Sequence, residues 1–199
     1  MRANTLSQAL WNDTSALRGA ALILGGSWLI AVAAQISVPF FPVPMTLQTL
    51  AILFVGFALG SRLGAAALVA YLAQGAAGLP VFAGGMNGIA FAGPTAGFLI
   101  GFVGMAWAAG WAAERGLARG VFSTALVALV ISALLYVPGI AWPMAIAGVA
   151  GMDASWIGQG FSSYYWTYFI APFLLGDAVK AVLAAIIVTG AWKALARRA

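Results

Sequence analysis

Asp177 and Lys180 stand three residues apart inside YFIAPFLLGDAVKAVLAAIIVTG, a stretch of nearly pure hydrocarbon near the C-terminus. On a helix that spacing puts both side chains on one face. A lone charge in lipid costs several kcal/mol, so the two should face a protein interior and neutralise one another. Two roles are open to such a pair. It can be a self-satisfied salt bridge that pins helix packing, or it can hold a ligand. As a ligand site it offers an acceptor beside a donor, which complements a group presenting N–H beside C=O, such as a urea or amide. A ligand carboxylate aimed at Lys180 gains one contact but also meets Asp177, so charge balance favours the urea. A proton relay is disfavoured, because the chain has no histidine and no second carboxylate within a span.

The rest of the chain must supply the interior that shelters this pair. Of 199 residues 64% are hydrophobic and 7% charged, and the mean hydropathy is +1.03. A soluble domain carries roughly a quarter charged residues, so the composition is that of an all-α integral membrane protein. Helix crossing takes about 20 apolar residues. Six such runs are found, at about 18–38, 45–60, 63–79, 94–113, 121–141 and 168–192, within a single transmembrane domain over 1–199. The run 45–79 is too long for one span. GSRLG divides it, since Gly60 and Ser61 break the helix and Arg62 is too costly at the membrane centre.

Charge placement supports the count. With the N-terminus inside, Arg2, Arg18, Arg62, Arg115, Arg119, Lys193, Arg197 and Arg198 all fall on the cytoplasmic side. The outer connections, around 39–44, 80–93 and 142–167, contain no Lys or Arg. Both termini are therefore expected in the cytoplasm of a multi-pass protein of the cell (inner) membrane. The net charge of +5 is topological and is no signal of nucleic-acid binding. Residues 1–19 have no long apolar core before their first polar cluster, unlike a cleaved signal peptide.

The outer connections are apolar, aromatic and rich in proline and glycine: SVPFFPVPM, GLPVFAGGMNGIAFAG and VPGIAWPMAIAGVAGMDASWIGQGFSSYYW. Proline and glycine should prevent continuous helix there. Irregular backbone at membrane depth is tolerated only where protein buries it or it lines a cavity. Three such segments on one side suggest a lid over a pocket; the plainer alternative is an aromatic belt with re-entrant turns. Asp177 would then lie roughly ten residues, or about 15 Å, below the outer start of the last span.

Other candidates are graded by chemistry. In FAGGMNGIAFAGPT, opening at Phe82, the glycines Gly84, Gly85 and Gly88 allow close backbone approach, and Asn87 can both donate and accept. A plain tight turn is the alternative. With no outer cation, a ligand carboxylate would rest on backbone N–H groups, hydroxyls or water, and a nest of successive N–H groups could serve. Thr46 and Gln48 begin the second span beside PVPM and either face the pocket or cap the helix. Gln35, Tyr164 and Tyr168 sit at similar depth. In the first span Ala16 with Ala20, and Ala21 with Gly25, have small-xxx-small spacing, suited to helix contact within the bundle or with another protein.

Enzyme chemistry finds little here. The chain has no His, no Cys and four carboxylates, so metal ligation and nucleophile–base pairs are poorly supplied. Neither a catalytic residue nor a cofactor is expected. A channel would need a polar stripe through several helices, which the first five spans hardly provide. No GxxxxGK[ST] loop is present, so energy for uphill transport must come from elsewhere.

Four motifs, PVPMTLQTLAILFVGFALGSRLGA, LAQGAAGLPVFAGG, GPTAGFLIGF and GDAVKAVLAA, occur in this order over about residues 20–190. Together they resemble the BioY family, the biotin-binding membrane subunits of energy-coupling-factor (ECF) transporters. The resemblance implies six helices, a vitamin pocket near the outer face, biotin as ligand, and two partners: a membrane scaffold subunit and a cytoplasmic ATPase pair. It also makes Gly176, Asp177 and Lys180, which match the family's Gly-Asp-x-x-Lys, the leading ligand contacts. Asp177 would accept a ureido N–H and Lys180 donate to the ureido oxygen; the reverse assignment, with Lys180 on the carboxylate, is the alternative. A family-like alanine pattern on the first helix implies scaffold contact through Ala16 and Ala20. One departure is Ala96, where the family pattern has glycine. A stand-alone biotin facilitator, a small channel and a structural membrane protein are the other readings.

Overall fold

The computed structural model of the chain describes residues 5–10, 15–149 and 161–196. A short helix α1 (Leu6–Leu10) precedes α2 (Ala16–Gln35), the strands β1 (Ser37–Val38) and β2 (Met45–Thr46), and α3 (Gln48–Leu59). Then follow α4 (Ser61–Ala76), α5 (Ala96–Glu114), α6 (Val121–Val149), α7 (Phe161–Tyr165) and α8 (Ala171–Ala196). A π-helical turn, Trp166–Ile170, joins α7 to α8 into one continuous rod. The six expected spans are α2, α3, α4, α5, α6 and α8. Four of these segments are long and apolar enough to cross a membrane by themselves, while α3 and α4 are shorter.

The side chains are sorted for lipid rather than water. Large apolar residues such as Trp28, Val32, Leu134, Val137 and Leu175 stand exposed on the outside, whereas Asp177 and Lys180 are buried. Helix α5 is the central post and packs against α3, α4 and α6, while α8 closes on α3 and α6. Small residues make these contacts close. A side chain at Gly56 would meet the Ala106 carbonyl oxygen at 2.6 Å, and one at Gly110 would run into the Gly60–Ser61 backbone.

The expected break between the second and third spans is present. Gly60 adopts φ +89, a left-handed conformation that favours glycine, and Arg62 is exposed at the turn. Glu114, at the inner end of α5, caps the restart. Its Oε1 accepts from the Ser61 backbone N–H at 2.7 Å and from Ser61 Oγ at 2.9 Å. Replacing Glu114 by Ala removes this cap, and the expected loss is about 1–2 kcal/mol. It should appear as a lower thermal unfolding midpoint in detergent, with ligand affinity retained.

Several boundaries differ from expectation. The first span ends at Gln35 rather than 38, since Ser37 and Val38 form a strand, and the third ends at Ala76 rather than 79. The second helix begins at Gln48 rather than 45, because Met45 and Thr46 pair antiparallel with Val38 and Ser37. That leaves α3 about 18 Å long, short of a hydrocarbon core of about 30 Å, with the hairpin filling the outer depth. The fifth span does not stop at 141. Helix α6 continues to Val149 with Pro138 and Pro143 inside it. Proline costs a helix its N–H bond and a steric clash, and here α5 receives the altered face. A side chain at Gly97 would strike the Pro138 carbonyl oxygen, one at Gly101 would meet the Pro138 ring at 2.8 Å, and Trp142 Nε1 donates to the Gly93 carbonyl at 3.2 Å. The last rod starts at Phe161, not 168, so Asp177 lies about 24 Å from its outer tip. The expected outer loop therefore gives way to helix on both sides; its middle, 150–160, lies outside the described residues.

Candidate functional site

Above the short α3 lies a cavity of about 170 Å³. One water needs about 10–15 Å³ by the same kind of measure, so the space suits a small organic molecule. The hairpin residues 42–46 and the loop residues 83, 86 and 93–95 form its outer rim, and Asp177 and Lys180 lie at its inner end. The walls are largely apolar, with Phe82, Phe98, Phe102 and Phe173 prominent. A concave, mostly apolar chamber with a few convergent polar groups is the ordinary form of a small-molecule site.

Lys180 Nζ lies 3.1 Å from Asp177 Oδ1, and both residues are buried, at 6% and 8% exposure. Thr49 Oγ1 donates to the same Oδ1 at 3.4 Å, and the Tyr136 hydroxyl donates to Oδ2 at 2.6 Å. A carboxylate has about four lone-pair sites; three are occupied, which leaves one on Oδ2. Lys180 has three donor protons and a single hydrogen-bond partner among the described residues. The pair thus retains an acceptor beside donors while facing a cavity. The two side chains form a buried bridge and at the same time line the cavity.

Thr49 and Tyr136 were not singled out from the sequence. Signals existed for both. Thr49 lies in the polar group Thr46, Gln48 and Thr49 at the start of an otherwise apolar helix, and Tyr136 is a lone phenol within an apolar span, whose hydroxyl needs a partner when buried.

The other sequence candidates divide. Thr46, Gln48 and Phe82 line the cavity with Asp177 and Lys180. Thr46 Oγ1 donates to Gln48 Oε1 at 3.1 Å, Gln48 Nε2 donates to the Tyr71 hydroxyl at 2.7 Å, and Tyr71 donates to the Val81 carbonyl at 3.2 Å. This chain of bonds ties the cavity wall to the base of the 82–92 loop. The Phe82 ring sits edge-on to Tyr71 and Phe91 and over Gly75, where any side chain would collide with it.

Asn87, Gly84, Gly85 and Tyr168 lie outside the cavity lining. Asn87 instead accepts from the Ile89 N–H at 3.3 Å and caps the turn at 88–92. Gly84 and Gly85 carry φ values of +67 and +73, so they serve a tight turn. The Tyr168 ring stacks at a tilt on Tyr164, 4.9 Å away. Gln35 is not in the lining either. It clamps the loop from outside, donating to the Val81 and Phe82 carbonyls at 3.3 and 3.1 Å and accepting from the Gly85 N–H at 3.1 Å. Ala16, Ala20, Ala21 and Gly25 are exposed on α2, so they do not serve packing within the bundle.

The family pattern described as the BioY family matches residues 4–197. The chain belongs to the BioY family. Among relatives of this BioY chain is a biotin transporter BioY from Rhizobium etli, 37% identical over 162 residues, which cover 76% of this chain and 79% of the relative. Another, from Rhodobacter capsulatus and also described as a biotin transporter BioY, is 40% identical over 154 residues, covering 74% and 77%. The fold is similar to a crystal structure of the S-component for biotin from an ECF-type ABC transporter. That match has a TM-score of 0.73 and 22% identity and covers 91% of this chain and 95% of the other. At that identity it speaks for the shared helical architecture of this BioY protein.

Proposed function

We propose that this chain is the biotin-binding S component of an ECF-type transporter, capturing biotin from the outer side of the cell membrane. The observation that carries the reading is the neutral Asp177–Lys180 couple at the inner end of an apolar, outward-opening cavity. The curated relatives are biotin transporters, and the solved relative is an S-component for biotin. Biotin has a planar ureido ring, an apolar thioether ring and an acidic tail. The ureido group meets the remaining Oδ2 lone pair of Asp177 with an N–H, and Lys180 donates to its oxygen. The thioether ring packs among Phe82, Phe98 and Phe173, and the tail points toward the rim. Thr46 and Gln48 hold the wall in place, with Tyr136 and Thr49 fixing the carboxylate.

Transport then depends on partners. A membrane scaffold subunit would dock on the small-residue face of α2 at Ala16 and Ala20, and paired cytoplasmic ATPases would supply the work. The proposed location is the inner membrane of the cell, with the basic residues at the helix ends setting the orientation there. No chemical step on biotin is involved.

Equilibrium binding of labelled biotin to the purified chain tests the proposal. Saturable binding, one ligand per chain with no turnover, is expected; absence of saturable binding would overturn it. The outer clamp gives a smaller, separate effect. Gln35→Leu removes three loop bonds without touching the cavity, and net bonds of about 1 kcal/mol imply a loss of affinity of roughly fivefold. The loss should appear as faster dissociation of labelled biotin.

A further inference from the structure

The distribution of positive charge has a consequence for which ligands this site accepts. Between Arg62 and Arg115, and again between Arg119 and Lys180, the sequence contains no Lys or Arg. The interval between Arg18 and Arg62 is equally without Lys or Arg, so none of the three outer connections contributes a cation, and the third contributes Asp153. On the cavity itself the one basic side chain among the described residues is Lys180, already 3.1 Å from Asp177.

Several backbone donors near the rim are also committed. The Gly85 N–H serves both Phe82 O and Gln35 Oε1 at 3.1 Å, Phe82 N–H donates to Met86 O at 2.9 Å, and Met86 N–H donates to Ala83 O at 3.4 Å. On the hairpin side the Gln48 N–H donates to Thr46 Oγ1 at 3.1 Å. The N–H groups of Phe82, Gly85 and Met86 are thus already spent within the loop and on Gln35. What faces a ligand tail is the Thr95 hydroxyl and the first turn of α5, both uncharged.

We propose that this chain recognises the ureido end of its ligand and is indifferent to the charge of the tail, so that its substrates include neutral, tail-amidated biotin as well as the free acid. The inference rests on the biotin reading above. An anion beside an exposed helix N-terminus gains at most about fivefold. A carboxylate paired with a buried lysine would lose about thirtyfold or more when neutralised. The two orientations of the ligand therefore predict different selectivities.

The probe is biotinamide, which replaces the tail carboxylate by an uncharged group of the same shape. Dissociation constants of biotin and biotinamide are measured on the same full-length protein in detergent. A ratio below tenfold is expected. Tight biotin with an amide tenfold or more weaker overturns the inference and puts the carboxylate on Lys180. Failure of biotin itself to bind sinks the functional reading, and this inference with it.

Discussion

Asp177→Asn is expected to weaken biotin binding on the order of a hundredfold, about 2.7 kcal/mol, while the protein still inserts as six helices. The exchange keeps the shape and removes the charge. The ureido N–H loses a charge-assisted acceptor, and such bonds are roughly twice as strong as neutral ones. The Asn amide also brings two donors into a place where Tyr136 and Thr49 already donate. One donor pair must then face another or turn away. Lys180 keeps its charge with no carboxylate beside it, and a buried unpaired charge costs about 3–5 kcal/mol. The thermal unfolding midpoint should therefore fall as well. Equilibrium binding and melting, both in detergent, check the two parts, and unchanged affinity would make the pair structural.

Lys180→Met should weaken binding by a comparable factor, well over tenfold, but with less harm to the fold. The reason is an asymmetry in the site. When Lys180 is lost, Asp177 still accepts from Tyr136 at 2.6 Å and from Thr49 at 3.4 Å. When Asp177 is lost, Lys180 has no other hydrogen-bond partner among the described residues. Methionine fills most of the vacated volume without a polar atom to satisfy. Melting curves of the two variants should thus separate, with Asp177→Asn the less stable, although both hold biotin more weakly by comparable factors. A Lys180→Met protein that binds like the parent would contradict the role given to the ammonium group.

Composition and charge carried the architecture a long way. Basic residues sit at inner helix ends because crossing is costly for them, so their positions yielded six spans and their direction. Gly60 marked a turn because few other residues adopt its backbone conformation. Sequence reasoning failed where tertiary contact overrides local preference. Pro138 and Pro143 looked like helix breakers, yet glycines on α5 make room for the face they distort. The strand pairing of 37–38 with 45–46 is not legible in the sequence, because two-residue strands leave almost no periodic trace.

The site was legible in the same partial way. Asp177 and Lys180 stood out because charge in a lipid-crossing segment is expensive. Thr49 and Tyr136 gave only a weaker signal, since a hydroxyl in a helix costs far less than a charge and its partner is set by tertiary contact. Asn87 and the adjacent glycines looked like ligand groups on residue type alone. Their roles in turn and cap geometry depend on φ angles and on the distant Gln35, neither of which local sequence encodes.

The most direct measurement is a structure of the full chain with biotin bound. The account predicts the ureido ring in the cavity, an N–H within hydrogen-bond distance of Asp177 Oδ2 and the ring oxygen on Lys180 Nζ. Biotin held elsewhere, with the Asp177–Lys180 contact unchanged and no ligand atom near either side chain, would contradict it.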